Sequence, residues 1–171
     1  MRRLESDRLT KWNRTWALAA VFGLASIPWT YGFVAELEIP LWPAFIASAT
    51  YFAADGGVNG LVRGYTSNVA GIVYGAATLA LVDAFFGGSV TALSVTVGAF
   101  MFLASLHAFV PLLSFTPGTF FGYATLFSVE AAGATALGIA GLPGATLAAA
   151  LSMFLGALIG LLTDRVSVRV S

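Results

Sequence analysis

With 171 residues, 58% hydrophobic and only 9% charged, the chain carries more apolar surface than one water-soluble core of its size can hide. Its mean hydropathy is +0.89. That excludes a soluble globular domain, and zero cysteines exclude disulfides, thiol catalysis and thiolate metal sites. Eight basic and eight acidic residues cancel, so the positions of the charges carry the information and their sum does not.

Residues 1–15 hold Arg2, Arg3, Arg8, Lys11 and Arg14 and read as a basic cytoplasmic segment that sets topology. No small-residue cleavage site follows it, so it is expected to be retained. Six apolar segments come next, at 16–35, 41–54, 66–86, 90–111, 117–139 and 145–163, and they form a single transmembrane domain over 16–163. The predicted fold is all-α, a polytopic membrane protein of about six transmembrane helices, because helices satisfy every backbone group where water is absent. With six spans, Arg63 and the tail residues Arg165 and Arg169 (164–171) join the basic amino-terminal residues on one side, so both termini are expected to be cytoplasmic. Glu36 and Glu38 fall on the other side, and Asp83 and Glu130 near it.

The second segment is short, about 21 Å for 14 helical residues. Either it begins near Glu38, or the Gly-rich stretch "ADGGVNGLVRG" (54–64) behind it dips into the membrane. Non-helical backbone at that depth must be buried in protein or face water.

The third and fifth segments repeat one another. Sliding the chain by 47 residues aligns "SNVAGIVYGAATLALVD" (67–83) with "SFTPGTFFGYATLFSVE" (114–130), identical at seven of 17 positions. Ser67, Gly71, Gly75, Thr78 and Val82 fall within an arc of about 80° at ~100° per residue, and Ser114, Gly118, Gly122, Thr125 and Val129 are their counterparts. The expected arrangement is a parallel internal repeat of spans two and three with spans four and five, about an axis along the membrane normal. The stripe has two readings. Small residues let helices approach closely; alternatively, the two faces line a shared path, with Gly71, Gly75, Thr78, Gly118, Gly122 and Thr125 along it.

Each repeated helix follows a break. In "VPLLSFTPG" (110–118), Thr116 is positioned to cap the helix, Pro117 to open it and Gly118 to allow close approach. A helix amino terminus presents free N–H groups and partial positive charge, which suit an anion or a carbonyl oxygen. The breaks and their surroundings supply the candidate substrate-binding residues Asp55, Asn59, Ser67, Asn68, His107, Ser114, Thr116 and Thr119. His107 is the only histidine, in an otherwise apolar segment. Asp55 and Arg63 are expected to pair or to face water. In the last span Ala148, Ser152, Gly156 and Gly160 form a small-residue ridge for packing within the chain or against a neighbour.

"LLSFTPGTFFGYATLF" together with "YFAADGGVNGLVRG" resembles the YcdZ-like family of small multi-pass inner-membrane proteins, a domain-of-unknown-function family. The resemblance implies an integral protein of the prokaryotic cytoplasmic membrane, and it supplies no substrate and no site residues. The functional expectation is a channel or permease for a small uncharged or anionic solute, with selectivity at the two breaks. The alternative is a structural or accessory membrane protein acting through helix packing. One histidine and scattered carboxylates build no usual metal site, and there is neither a phosphate loop nor a nucleophile triad. No enzymatic activity, catalytic residue, cofactor or metal is therefore expected, and the expected partners are the bilayer, a small solute and a second copy of the chain, without nucleic acid.

Overall fold

The computed structural model describes the backbone of residues 2–170 and the side chains of residues 12–170. The side chains of Arg2, Arg3, Arg8 and Lys11 lie outside the described set. Six helices account for nearly all of the chain: α1 (Arg2–Tyr31), α2 (Trp42–Ala53), α3 (Gly57–Phe86), α4 (Val90–Leu106), α5 (Thr116–Ala131) and α6 (Gly141–Val170). A π-helical turn, Gly32–Glu36, extends α1. Two 3-10 turns, His107–Phe109 and Pro111–Leu113, follow α4. Among the described residues, four helical stretches are long and apolar enough to cross a membrane: Trp12–Glu36, Gly57–Phe86, Val90–Phe109 and Gly141–Val170.

α2 and α5 are shorter, with 12 and 16 residues, or about 18 and 24 Å at ~1.5 Å per residue. Each opens with a proline in its first turn, which fits where helical N–H groups lack partners anyway. α3 starts at Gly57, well before residue 66, so the expected break at 54–64 shrinks to a tight turn. Asp55, Gly56 and Gly57 all adopt positive φ (73°, 65°, 64°) to reverse the chain there. α5 stops at Ala131, short of residue 139, and the linker behind it turns at Gly133 and Gly138, also at positive φ. α1 and α6 run on past the expected limits of the apolar domain at residues 16 and 163.

The pairing of helices corrects the expected repeat. α3 lies parallel to α5, with Ser67 beside Gly118, Gly71 beside Thr119 and Tyr123, and Gly75 beside Leu126. α2 lies parallel to α6 in the same manner: Ser152 Oγ donates to Pro40 O at 2.7 Å, Ser48 Oγ donates to Gly156 O at 2.6 Å, and Gly160 faces the Tyr51 ring. α2 is not a counterpart of α4 by length or partners, so spans two and three do not match four and five. The halves α1–α3 and α4–α6 match instead. Each runs through an outer helix ending in a non-α turn, a short Pro-opened helix and a 30-residue helix. The short helix of one half pairs with the 30-residue helix of the other, and α1 packs on α6 as α4 packs on α3. Three helices per half reverse the direction of the second half, so the two are related upside down.

The buried core is built mostly of small residues, including Ala44, Ala47, Ala145, Ala148, Ala149 and Ala157, with Ile72, Leu126, Val129 and Met153 filling the remaining volume. Polar ties hold both ends. At the basic end, Gly57 N donates to Tyr51 Oη at 2.7 Å and Tyr51 Oη donates to Asp164 Oδ2 at 2.9 Å, while Arg14 lies 3.6 Å from the same carboxylate. At the far end Trp42 Nε1 donates to Ser128 Oγ at 3.1 Å. Tyr51→Phe leaves the Gly57 N–H without its acceptor and is expected to cost about 1–2 kcal/mol. Denaturant unfolding in detergent checks it.

Candidate functional site

Where α5 begins, it begins part-way along α3. Its first turn faces Ser67, ten residues beyond Gly57 and therefore about 15 Å along α3. The break at 107–115 is pinned at this level by Thr66 Oγ1, which donates to Leu112 O at 2.7 Å. The notch formed there is a packed junction, with α3 on one side and the opening of α5 on the other. Phe115 occupies the cap position of α5 and no side chain caps it; Thr116 is the first helical residue and does not cap. Ser114 Oγ donates to Pro111 O at 2.9 Å and so closes its own turn.

Four of the eight sequence-derived substrate residues meet in this notch. Ser67, Asn68 and Thr119 are fully buried, and His107 is 7% exposed. His107 bridges two helices: Nε2 lies 2.8 Å from Tyr74 Oη and Nδ1 lies 3.2 Å from Thr119 Oγ1. The Tyr74 ring also stacks on Phe100, so the imidazole is held from α3, α4 and α5 together. Ser67 Oγ and Asn68 Nδ2 are buried with no hydrogen-bond partner among the described residues. A buried polar group without a partner costs about 1–3 kcal/mol, so such groups call for an explanation. Ser114 and Thr116 border the notch, half-buried. Asp55 and Asn59 do not belong to it; both are exposed near the start of α3, roughly 14 Å of helix below Asn68.

The stripe residues are packed together. A methyl group on Gly71 would overlap the Thr119 carbonyl and come within 2.6 Å of Tyr123 N; one on Gly122 would overlap the Asn68 carbonyl. Gly75 meets the Leu126 side chain, and Thr78 Oγ1 lies 2.7 Å from Tyr123 Oη. Thr125 is fully buried and its hydroxyl has no partner. α3 and α5 are thus in backbone contact along this seam. The ridge of α6 is closed in the same way, since a methyl on Gly156 would overlap Ala44 of α2.

Thr50, Tyr74 and Arg63 belong to the site and were not among the sequence candidates. Thr50 Oγ1 reaches Asn68 Oδ1 at 3.4 Å. Arg63 lies one turn below Ser67, with Nε buried and unpartnered; among the described residues it pairs with no carboxylate, Asp55 included. Helical spacing is the signal that could have found two of them, because Arg63, Ser67 and Tyr74 stand at i, i+4 and i+11 on one face. Asp83 and Glu130 line a separate cavity of about 450 Å³ at the far end. Among the described residues no group of three or more His, Asp or Glu side chains is placed to hold a metal.

Apolar helices of spanning length around a small-residue core define a helical membrane protein of several passes. The family described as "Protein of unknown function (DUF1097)" matches residues 15–167, and the chain belongs to it. Comparison with curated proteins and with solved structures returned no match.

Proposed function

We propose that the chain is a channel or permease for a small uncharged or anionic solute, built as six spans in the prokaryotic cytoplasmic membrane with both termini on the cytoplasmic side. The observation that carries this reading is the pair of short helices. α2 and α5 hold corresponding places in two halves of opposite direction, and each starts part-way along a 30-residue helix of the other half. Short or interrupted segments in corresponding positions of inverted halves are where transporters of known mechanism bind solute. Charge placement supports the orientation: Arg14, Arg63, Arg165 and Arg169 lie toward one end of the bundle, whereas Glu36, Glu38, Asp83 and Glu130 lie toward the other without a basic residue among them.

The accessory reading requires small-residue faces free to receive helices of other proteins. Against it stands the closure of those faces on α3, α5 and α6 by the chain's own backbone. Assembly with further copies of the chain would use the outward faces of α1 and α4.

Stopped-flow light scattering on proteoliposomes tests the permease reading with glycerol, urea, formate and acetate. A leucine at Gly118 would press on Ser67, Asn68 and the Phe115 ring, at 2.9–3.3 Å from its Cβ, and obstruct any path past them. Wild-type vesicles are expected to pass at least one solute, and a Gly118→Leu protein that elutes normally on gel filtration is expected to lose at least tenfold in rate. Rates equal to those of empty vesicles for the whole panel would sink the reading.

A further inference from the structure

The upside-down relation of the halves allows each residue of the notch to be compared with its counterpart. Ser67, Gly71, Gly75 and Thr78 of α3 recur at the same spacing as Ser152, Gly156, Gly160 and Thr163 of α6. The packing is equivalent as well: Ser67 faces the opening of α5, and Ser152 faces the opening of α2. The chemistry is not equivalent. Ser152 Oγ is satisfied by Pro40 O at 2.7 Å, whereas Ser67 Oγ finds no partner among the described residues. Asn68, with its unpartnered Nδ2, stands where α6 has Met153, and Arg63 stands where α6 has Ala148.

One half therefore spends these positions on packing, and the other keeps buried donors in them. The unpartnered groups are a hydroxyl, a carboxamide N–H and a guanidinium Nε, next to a helix amino terminus that no side chain caps. All are donors or partial positive charges. Among the described residues no carboxylate pairs with Arg63 to neutralise the set.

We propose that this notch is a single-sided binding site for a small oxyanion, such as a monocarboxylate or nitrate. Ser67 and Asn68 donate to the oxygens, the positive end of the α5 dipole favours the charge, and Arg63 draws it in from the basic end. The assignment rests on the permease reading and narrows its solute to an anion. The counterpart notch at α2 is closed and binds nothing.

The full-length protein is reconstituted in phosphatidylcholine vesicles, so that no anionic headgroup competes, and initial rates are measured for formate, nitrate and glycerol. In parallel, the detergent-purified protein is melted with sodium formate at constant ionic strength. Arg63→Gln and Ser67→Ala, both checked by gel filtration, are expected to lower formate flux about tenfold and threefold. Both are expected to abolish the formate-dependent rise in melting midpoint. Ser152→Ala is expected to leave the midpoint rise intact. Passage of glycerol alone, with no midpoint rise from formate or nitrate, overturns the oxyanion site while the permease reading survives. A midpoint rise lost in Ser67→Ala without flux of any solute upholds the site and removes the permease. A rise produced by short-chain phosphatidylglycerol and by neither free anion assigns the notch to a lipid headgroup and overturns the solute assignment.

Discussion

Gly71→Ala and Gly122→Ala are each expected to prevent recovery of a monodisperse protein. Both positions meet main chain, which cannot rotate away as a flexible side chain can: the Thr119 carbonyl and Tyr123 N at Gly71, the Asn68 carbonyl at Gly122. Overpacking a core ordinarily costs about 1–3 kcal/mol, and separating two helices along a whole seam costs more than one local adjustment. Without a hydrophobic drive between helices in lipid, close approach is a main source of their association. Gly98→Ala and Gly23→Ala provide the contrast, because nothing lies within 4 Å of either added methyl. Those two are expected to be neutral or stabilising by up to about 1 kcal/mol through helix propensity. Size-exclusion profiles and unfolding midpoints of the four variants decide the matter. Wild-type behaviour of Gly71→Ala would mean that α3 and α5 are further apart than described.

The second large effect is expected at His107. Leucine there removes bonds to Tyr74 and Thr119 at once and leaves Thr119 Oγ1 fully buried without its partner. Interhelical hydrogen bonds inside membranes contribute roughly 0.6–1.7 kcal/mol each, so the loss of two predicts about 1–3 kcal/mol. Tyr74→Phe removes only one of them and keeps the ring stacked on Phe100, so it should fall near the lower end. A double-mutant cycle between the two separates the shared bond from the loss of packing. Equal costs for His107→Leu and Tyr74→Phe would show that the Thr119 contact contributes nothing.

The readability of particular elements in the sequence followed from how local their causes are. The start of α4 at Val90 and the first-turn proline of α5 are set by neighbouring residues, and they fall where expected. The start of α3 does not. Asn59, Gly60 and Gly64 are weak helix formers, and the pattern there reads as a break. Packing reverses that preference, because the missing side chains let α3 pass the Ala54 carbonyl at Gly60 and the Thr50 side chain at Gly64. The repeat was legible as kinship between α3 and α5 but misassigned in plan. Those helices resemble one another because both obey one close-packing spacing. The third copy, Ser152 to Thr163 on α6, is what reveals equivalence between α3 and α6.

Of the candidate site, Ser67, Asn68, His107 and Thr119 could be named from residue type and position, since polar groups in an apolar helix are conspicuous. Their convergence could not. It depends on α5 starting at the level of Ser67, which the break at 107–115 sets by holding Leu112 against Thr66. Thr116, expected as a cap, lies inside the helix it was to cap, because Phe115 takes the boundary position.

The apolar, helical class of the protein, the partition of its charges between the two ends and the faces on which helices can approach closely are all legible in the order of residues. These follow from side-chain chemistry and the 3.6-residue period, which are properties of each segment alone. Only the tertiary structure decided which faces meet, that the second half runs opposite to the first, and that Ser67 lacks the carbonyl its counterpart Ser152 finds at Pro40. Whether a donor finds an acceptor depends on backbone brought from a distant part of the chain, and no local pattern specifies that distance.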